Sequence, residues 1–342
     1  MQNKNPQIDT IEPTISIIVP VLNGAENIKL LLDSLLELDY SKTKTEIIIV
    51  DGGSTDLTRR IVSKYPVKLL INLKKGPNAA RNTGIQCSSG EIVAFTDSDC
   101  TADKNWIKKA VSNFKDPGIG CVGGDVKSLN DTYLSGYASN SLAPIIRVCK
   151  RRKELNCIGT RVGCPVGCNM IFRRKAISDA GGSFDETIQY CFEEDELIER
   201  ICGAGYKVVL DPEVLIWHKH RSKLKSFLAQ SFKYGRGTGK LLRKRRKQRL
   251  FRRWFVTDLL ILVQTFIVFL LGAFTIFTGN WENLFLFFLT MLLIPFGILF
   301  GVYFSKALIS KRKWRILFYP WVDLLRAIAF LGGVFFGFIK KL

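Results

Sequence analysis

The sequence predicts an α/β domain built on a mostly parallel sheet, followed by a basic neck and an α-helical transmembrane region. Three observations predict this. Short β-branched runs alternate with helical stretches over the first hundred residues. Polar clusters directly follow three of those runs. After Phe255 the chain turns almost continuously apolar, which a soluble domain rarely tolerates.

Each element has a local reason. Ile15–Val19 is a short apolar run closed by Pro20, the pattern of a fully buried strand. Ile28, Leu31, Leu32, Leu35 and Leu36 repeat at helical spacing within 25–38. Glu46–Val50 forms a second strand and runs into Asp51-Gly52-Gly53-Ser54-Thr55-Asp56, a turn-rich loop leading to a helix near 57–64. Asp56 there reads as a helix cap rather than a ligand. Val67–Asn72 is a third strand, Asn78–Ser88 a helix, and Glu91–Phe95 a fourth strand closed by Thr96-Asp97-Ser98-Asp99. Such alternation implies a parallel sheet with helices on both faces. Ligands of these sheets bind at the carboxyl ends of the strands. The clusters Val21–Asn23, Asp51–Asp56 and Asp97–Asp99 all fall there.

Charge separates the chain into parts. The net charge is +20. Residues 221–342 carry 22 Lys/Arg against three Asp/Glu, whereas residues 1–220 are nearly balanced. The basic excess therefore lies beside the apolar spans, which marks a cytoplasmic membrane face and argues against a nucleic-acid partner. The expected organisation is a first domain over 1–220, a basic amphipathic interfacial neck over 221–254, and a transmembrane region over 255–342. That region holds about three spans, 255–278, 284–304 and 317–338, each long enough for a bilayer core of about 30 Å. Gly235, Gly237 and Gly239 are expected to interrupt any neck helix. Lys306, Lys311, Arg312, Lys313 and Arg315 place the second connecting loop inside. Residues 1–14 lack an apolar segment, so the first domain is expected to stay cytoplasmic on a multi-pass cell-membrane protein. The nine cysteines show no pairing framework, and Cys164 and Cys168 lack the partners of a sequence-level zinc motif.

Two carboxylates, Asp97 and Asp99, two residues apart after a buried strand, suit a divalent cation with oxygen preference, Mn2+ or Mg2+. In order along the chain stand Ser16–Asn23, Val50-Asp51-Gly52-Gly53-Ser54-Thr55-Asp56, Ala80-Arg81-Asn82-Thr83-Gly84 and Asp97-Ser98-Asp99. This series resembles the signature of family 2 inverting glycosyltransferases, over roughly residues 14–220. The resemblance implies the GT-A fold, a Rossmann-like sheet, and a nucleotide-sugar donor, a UDP- or GDP-sugar.

The resemblance also implies roles. Pro20, Val21, Asn23 and Asp51 would line the base and ribose pocket. Arg81 would assist the diphosphate, with Asp97 and Ser98 close by. Asn169, in Gly167-Cys168-Asn169-Met170, would touch the sugar. His218, after Trp217, would complete the metal site with Asp97 and Asp99. The acid run Glu193-Glu194-Asp195-Glu196-Leu197, ahead of Arg200 and Gly205-Tyr206, stands where the family has its catalytic acids. Counting back from Leu197 puts the base at Glu194; a shift of one residue puts it at Asp195. A hydroxyl acceptor needs that base within hydrogen-bond reach, whereas a lipid phosphate is already an anion. Gln248–Trp254 departs from the spacing of processive members, so transfer of a single sugar is expected. The acceptor is expected to be a lipid or lipid-linked molecule such as a polyprenyl phosphate, with Arg236 or Arg326 on its phosphate. Asp323 and Arg326 are spaced to pair with each other. Two other readings are a catalytically inert membrane scaffold of the same fold and a nucleotidyltransferase. The intact acids speak against the first, and the missing Gly-rich triphosphate loop against the second.

Overall fold

The structure is a computed structural model. It describes residues 12–74, 76–141, 149–156, 165–188, 193–244, 301–308 and 313–339. The chain divides into two compact units: Met1–Asn130 with Ile146–Lys219, and Asp131–Ile145 with His220–Leu342.

The first unit is a layered α/β body. The apolar runs become β1 (Ile15–Val21), β2 (Thr45–Asp51), β3 (Lys68–Ile71) and β4 (Ile92–Phe95). All pair in parallel, in the order β3-β2-β1-β4. Their side chains are buried on both faces in β1 and β4, which is why they read as continuous rather than alternating apolar runs. The crossover helices are α1 (Ile28–Leu36), α2 (Thr58–Val62) and α3 (Pro77–Gln86). Pro77 opens α3, where its missing N–H costs nothing. Gly84 lets α3 lie against β1, since a Cβ there would come within 2.3 Å of Ile18.

Beyond β4 the sheet becomes mixed. β5 (Cys100–Ala102), α4 (Trp106–Asn113), β6 (Ile119–Ser128), β7 (Lys153–Leu155), β8 (Met170–Arg173), α6 (Arg174–Asp179), α7 (Glu193–Gly203) and β9 (Lys207–His218) complete the unit, with α5 described below. The order continues β4-β8-β6-β9-β5, with β7 also on β9. β8 is antiparallel to β4 and β6, and β9 is parallel to β6. Pro212 does not end β9, which runs on as one long strand. A register shift opposite Gly124/Asp125 absorbs the proline. The core beneath joins Ile18, Val50, Phe95, Met170, Phe172, Leu197 and Ile201, and Phe95, Phe172 and Phe184 meet edge to face.

The second unit gathers helices. α5 (Tyr133–Asn140) starts with a capping box between Thr132 and Ser135. It packs with α8 (Leu224–Lys244), the helical stretch 301–308, α9 (Lys313–Ile316) and α10 (Tyr319–Ile339). The segment Asp131–Ile145 thus belongs with the C-terminal helices, so the first unit is discontinuous rather than simply 1–220.

The neck glycines do not break α8. Gly235 and Gly239 sit where α8 meets α10: a Cβ at Gly235 would fall 1.9 Å from the Phe330 carbonyl oxygen, and one at Gly239 2.1 Å from that of Val334. Gly333 and Gly337 return the favour against Phe232 and Arg236. Close packing of two backbones outweighs the helix penalty of glycine, about 1 kcal/mol each. Beside this seam Asp323 is buried and accepts hydrogen bonds from the hydroxyls of Tyr137 and Tyr303. Arg326 lies 3.9 Å from it, the pairing their spacing implied. Tyr319 stacks edge to face on Tyr133, Tyr137 and Tyr303.

Trp314–Ile339 is the one helix among the described residues long and apolar enough to cross a membrane, by length and composition. It covers the expected span 317–338. The expected span 255–278 and nearly all of 284–304 lie outside the described residues.

Candidate active site

The carboxyl ends of β1, β2 and β4 come together as expected. The loops after β1 and β2 are stitched to each other. Gly52 N donates to Val21 O at 2.8 Å, Asn23 N to the Ser54 hydroxyl at 2.8 Å, and Gly24 N to the Thr58 hydroxyl at 2.8 Å. Asn23 holds a positive φ of 53°, which asparagine tolerates better than most residues, and its side-chain oxygen accepts from Thr55 N. Asp56 accepts from Thr58 N at the start of α2 and from Ala25 N, while the N-cap of that helix is Leu57 rather than Asp56. Pro20 is half-buried and Val21 buried, so Asn23 carries the exposed polar edge of this wall.

Asp51, at the end of β2, is fully buried, and its carboxylate accepts from Gly53 N and Ser54 N and pairs with Arg59 at 3.2 Å. These bonds shape the loop from within.

The Asn169 side chain is wholly buried: its amide donates to Asp125 O and Val214 O, both at 2.9 Å, and its oxygen accepts from the Trp106 indole at 2.9 Å. Every polar atom of the amide is turned inward, so it joins β6, β8, β9 and α4.

At the end of β4, Cys100 N donates to Asp97 O and closes the Asp97-Ser98-Asp99 turn. Ser98 packs on Gly24 of the β1 loop. Lys219 N donates to Asp99 O, which ties the turn to the end of β9. Asp99 Oδ1 stands 3.3 Å from His218 Nε2. Burial alone would lower the His218 imidazole, but its bond to Asp99 and the neighbouring Cys168, Asp99 and Asp97 raise it to about 9. Donor atoms of Asp99, Cys100 and His218 all lie within 4.8 Å of one another. Asp97 falls outside that grouping and faces Arg81, with 3.7 Å between carboxylate and guanidinium. Burial raises the Asp97 carboxyl, Arg81 opposes this, and Asp99 adds to it. This is the crowding of acids that a cation relieves, and carboxylate plus imidazole is a donor set that accepts Mn2+. The residues present fit the implied ion.

Arg81 is central. It is 5% exposed, its guanidinium lies over the Phe184 ring at 5.6 Å, and its Nε has no hydrogen-bond partner among the described residues. Gly167 leaves room for it, since a Cβ there would come within 2.9 Å of its nitrogen. Its charge reaches Asp97 on one side and Glu194 on the other. Glu194 opens α7 between buried Glu193 and Asp195, and is itself only partly buried. Burial, Asp195 and Glu193 push its carboxyl up to about 7, with Arg81 pulling the other way. Arg200, one further turn along α7, grips Glu196 with two 3.0 Å bonds and donates to the carbonyls of Ala180, Gly182 and Ser183.

The sequence reading did not single out Cys100, although it follows Asp99 directly and pairs in register with His218 across β5–β9. Arg236 and Arg326 lie in the second unit, where Arg326 neighbours Asp323 and Arg236 packs on Gly333 and Gly337.

Comparison with known proteins agrees with this geometry. Residues 16–181 match the family described as Glycosyl transferase family 2. Residues 16–181 thus carry a glycosyl transferase family 2 domain. It is 29% identical over 231 residues to the glycosyltransferase AglE of Haloferax volcanii, covering 66% of this chain and 73% of that one. Two solved structures share the fold at 20% identity. The mannosyltransferase PcManGT from Pyrobaculum calidifontis, in complex with GDP-Man and Mn2+, superposes with a TM-score of 0.60 over 93% of this chain and 87% of that one. Staphylococcus aureus TarS 1-349, in complex with UDP-GlcNAc, gives 0.52 over 68% and 71%. The chain is thus a glycosyltransferase of the GT-A type.

Proposed function

We propose that this glycosyltransferase moves a single sugar, with inversion, from a UDP- or GDP-sugar to a hydroxyl of a lipid or lipid-linked acceptor at the cytoplasmic face of a membrane. The observation that carries the reading is Arg81 standing between Asp97 and Glu194 at the strand ends. That arrangement separates a leaving-group side from an acceptor side.

On the leaving-group side, Asp99 and His218, with Asp97 alongside, would hold Mn2+ or Mg2+. When bound, such an ion neutralises the diphosphate as it departs. Arg81 adds a fixed, largely desolvated positive charge to the same end. The rigid wall Pro20–Asn23, backed by Ser54 and Thr58, would seat the nucleoside. On the acceptor side, Glu194 would take the proton of the attacking hydroxyl, since it is the more exposed member of the acid run. Asp195 is 5% exposed and helps set the proton affinity of Glu194 instead. A carboxyl held near 7 suits a base working at neutral pH. An acceptor that is already an anion would have little use for it, so a hydroxyl is the better fit.

Support for membrane attachment is the apolar Trp314–Ile339 helix, with Ile328, Phe335 and Ile339 exposed, beside the strongly basic α8. The reading keeps a multi-pass arrangement with the basic neck on the cytoplasmic side. Exposed Lys225 and Lys233 of α8 would meet anionic headgroups or the phosphate of a polyprenyl carrier.

The test is turnover of a nucleotide-sugar panel by purified protein with Mn2+ or Mg2+ and lipid extract, beside Asp99→Asn and Glu194→Gln. Transfer from one donor that both substitutions abolish is expected. Failure to turn over any donor would leave the scaffold reading.

A further inference from the structure

The cation corner holds more than a carboxylate and an imidazole. Cys100 is 1% exposed, sits directly opposite His218 in the antiparallel β5–β9 ladder, and so projects to the same face. Its sulfur lies within 4.8 Å of the ligand atoms of both Asp99 and His218. A second thiol, that of Cys168, neighbours Cys100. Cys168 is also buried, and its chain neighbour Asn169 is pinned by three hydrogen bonds, so the second thiol is held in place. The β4–β5 turn and the end of β9 thus bring one sulfur, one nitrogen and one carboxylate within 4.8 Å of one another, and the loop before β8 sets a second sulfur beside the first.

We propose that Cys100, Cys168, His218 and Asp99 form a four-ligand site for a thiophilic divalent cation, of which zinc is the type. Oxygen-preferring ions have no use for buried thiols, whereas Cys and His in a compact, tetrahedral set are the donors zinc selects. At equal free concentration zinc also binds such a set more tightly than manganese. The site takes His218 and Asp99 away from any catalytic ion, so zinc bound there is an inhibitor that competes with Mn2+. This inference rests on the reading of Asp99 and His218 as the cation corner, but not on which sugar is transferred.

The experiment is an optical titration of the full chain with Co2+, a probe whose bonds to thiolate absorb strongly in the near ultraviolet. The expected result is a thiolate–cobalt band in the native protein that added Zn2+ abolishes. Cys100→Ser and Cys168→Ser should each weaken Co2+ and Zn2+ binding by about 100-fold or more, since even an outer partner of a ligand is worth 10–100-fold. Both variants should keep Mn2+ binding, read by the paramagnetic resonance of the free ion, which also shows that the corner is folded. The native protein lacking the band, or both variants retaining it, overturns the proposal. If Mn2+ binds while the cobalt band is absent, the sulfur ligands fail and the cation corner stands. If neither ion binds, both fail.

Discussion

Replacing Glu194 by glutamine should abolish transfer and, at the same time, stabilise the protein above pH 7. The carboxyl is pushed from an ordinary 4.5 to about 7 by burial and by Asp195 and Glu193. A raised carboxyl favours its protonated form in the fold. Its contribution to stability is therefore fully present below pH 4.5 and is lost as pH rises through 7. The full shift corresponds to roughly 3 kcal/mol. Partial exposure of Glu194 lets water screen the carboxylate, which leaves about 1–2 kcal/mol. Glutamine carries no charge and escapes that penalty. For a unit of this size the gain is about 2–8 °C in Tm at pH 8, and close to zero at pH 5. Loss of the base should cost about 10²–10⁴-fold in kcat. The native pH–rate profile should rise through about 7, because the base works as the carboxylate. Asp195→Asn should move that limb to lower pH by removing a neighbouring charge. The assays are initial rates from pH 5.5 to 8.5 and thermal melts at pH 5 and 8. A variant whose gain over the native protein is no larger at pH 8 than at pH 5, or a limb that Asp195→Asn leaves in place, would refute the reasoning.

Other outcomes follow from the same geometry. Asn169→Ala should lose about 2–5 kcal/mol in a denaturant melt, because the Trp106 indole and two carbonyls are left buried without partners; a loss below 1 kcal/mol would mean the amide is not the staple described. Asp51→Asn should raise the donor KM more than it lowers kcat, since it loosens the loop beside the nucleoside wall; steady-state kinetics on the preferred donor separate the two effects. Gly239→Leu should part α8 from α10 and speed hydrogen exchange in both helices, as a side chain there strikes the Val334 carbonyl; unchanged exchange would contradict the seam.

The parallel half of the sheet was readable because β1, β2 and β4 are unbroken apolar runs that end in polar clusters, and each cluster marks a strand terminus. The other half hid for physical reasons. β6 carries Gly120, Gly123 and Gly124, which lower strand propensity but are required by Tyr206, Pro165 and the Val214 carbonyl packed against them. β9 contains Pro212, a residue that usually ends a strand, and only the register shift beside it lets the strand continue. The neck glycines looked like helix breakers because their partner on α10 lies about a hundred residues away. Within the site, order and spacing singled out Asp97, Arg81 and Glu194, which the fold brings near one another. The inward turn of Asn169 and the burial of Asp51 were not legible, because motif position gives no side-chain direction. Cys100 and Cys168 are 68 residues apart, and only the pairing of β5 with β9 brings the first onto His218.

The most direct test of the central claim is calorimetric titration of the full chain with GDP-mannose and with UDP-N-acetylglucosamine, with and without Mn2+, beside Arg81→Ala. The account predicts Mn2+-dependent binding of a nucleotide-sugar that falls at least tenfold in the variant, because Arg81 supplies the fixed charge at the diphosphate. Equal binding by the native protein and the variant, or no binding of either nucleotide-sugar with Mn2+ present, would contradict it.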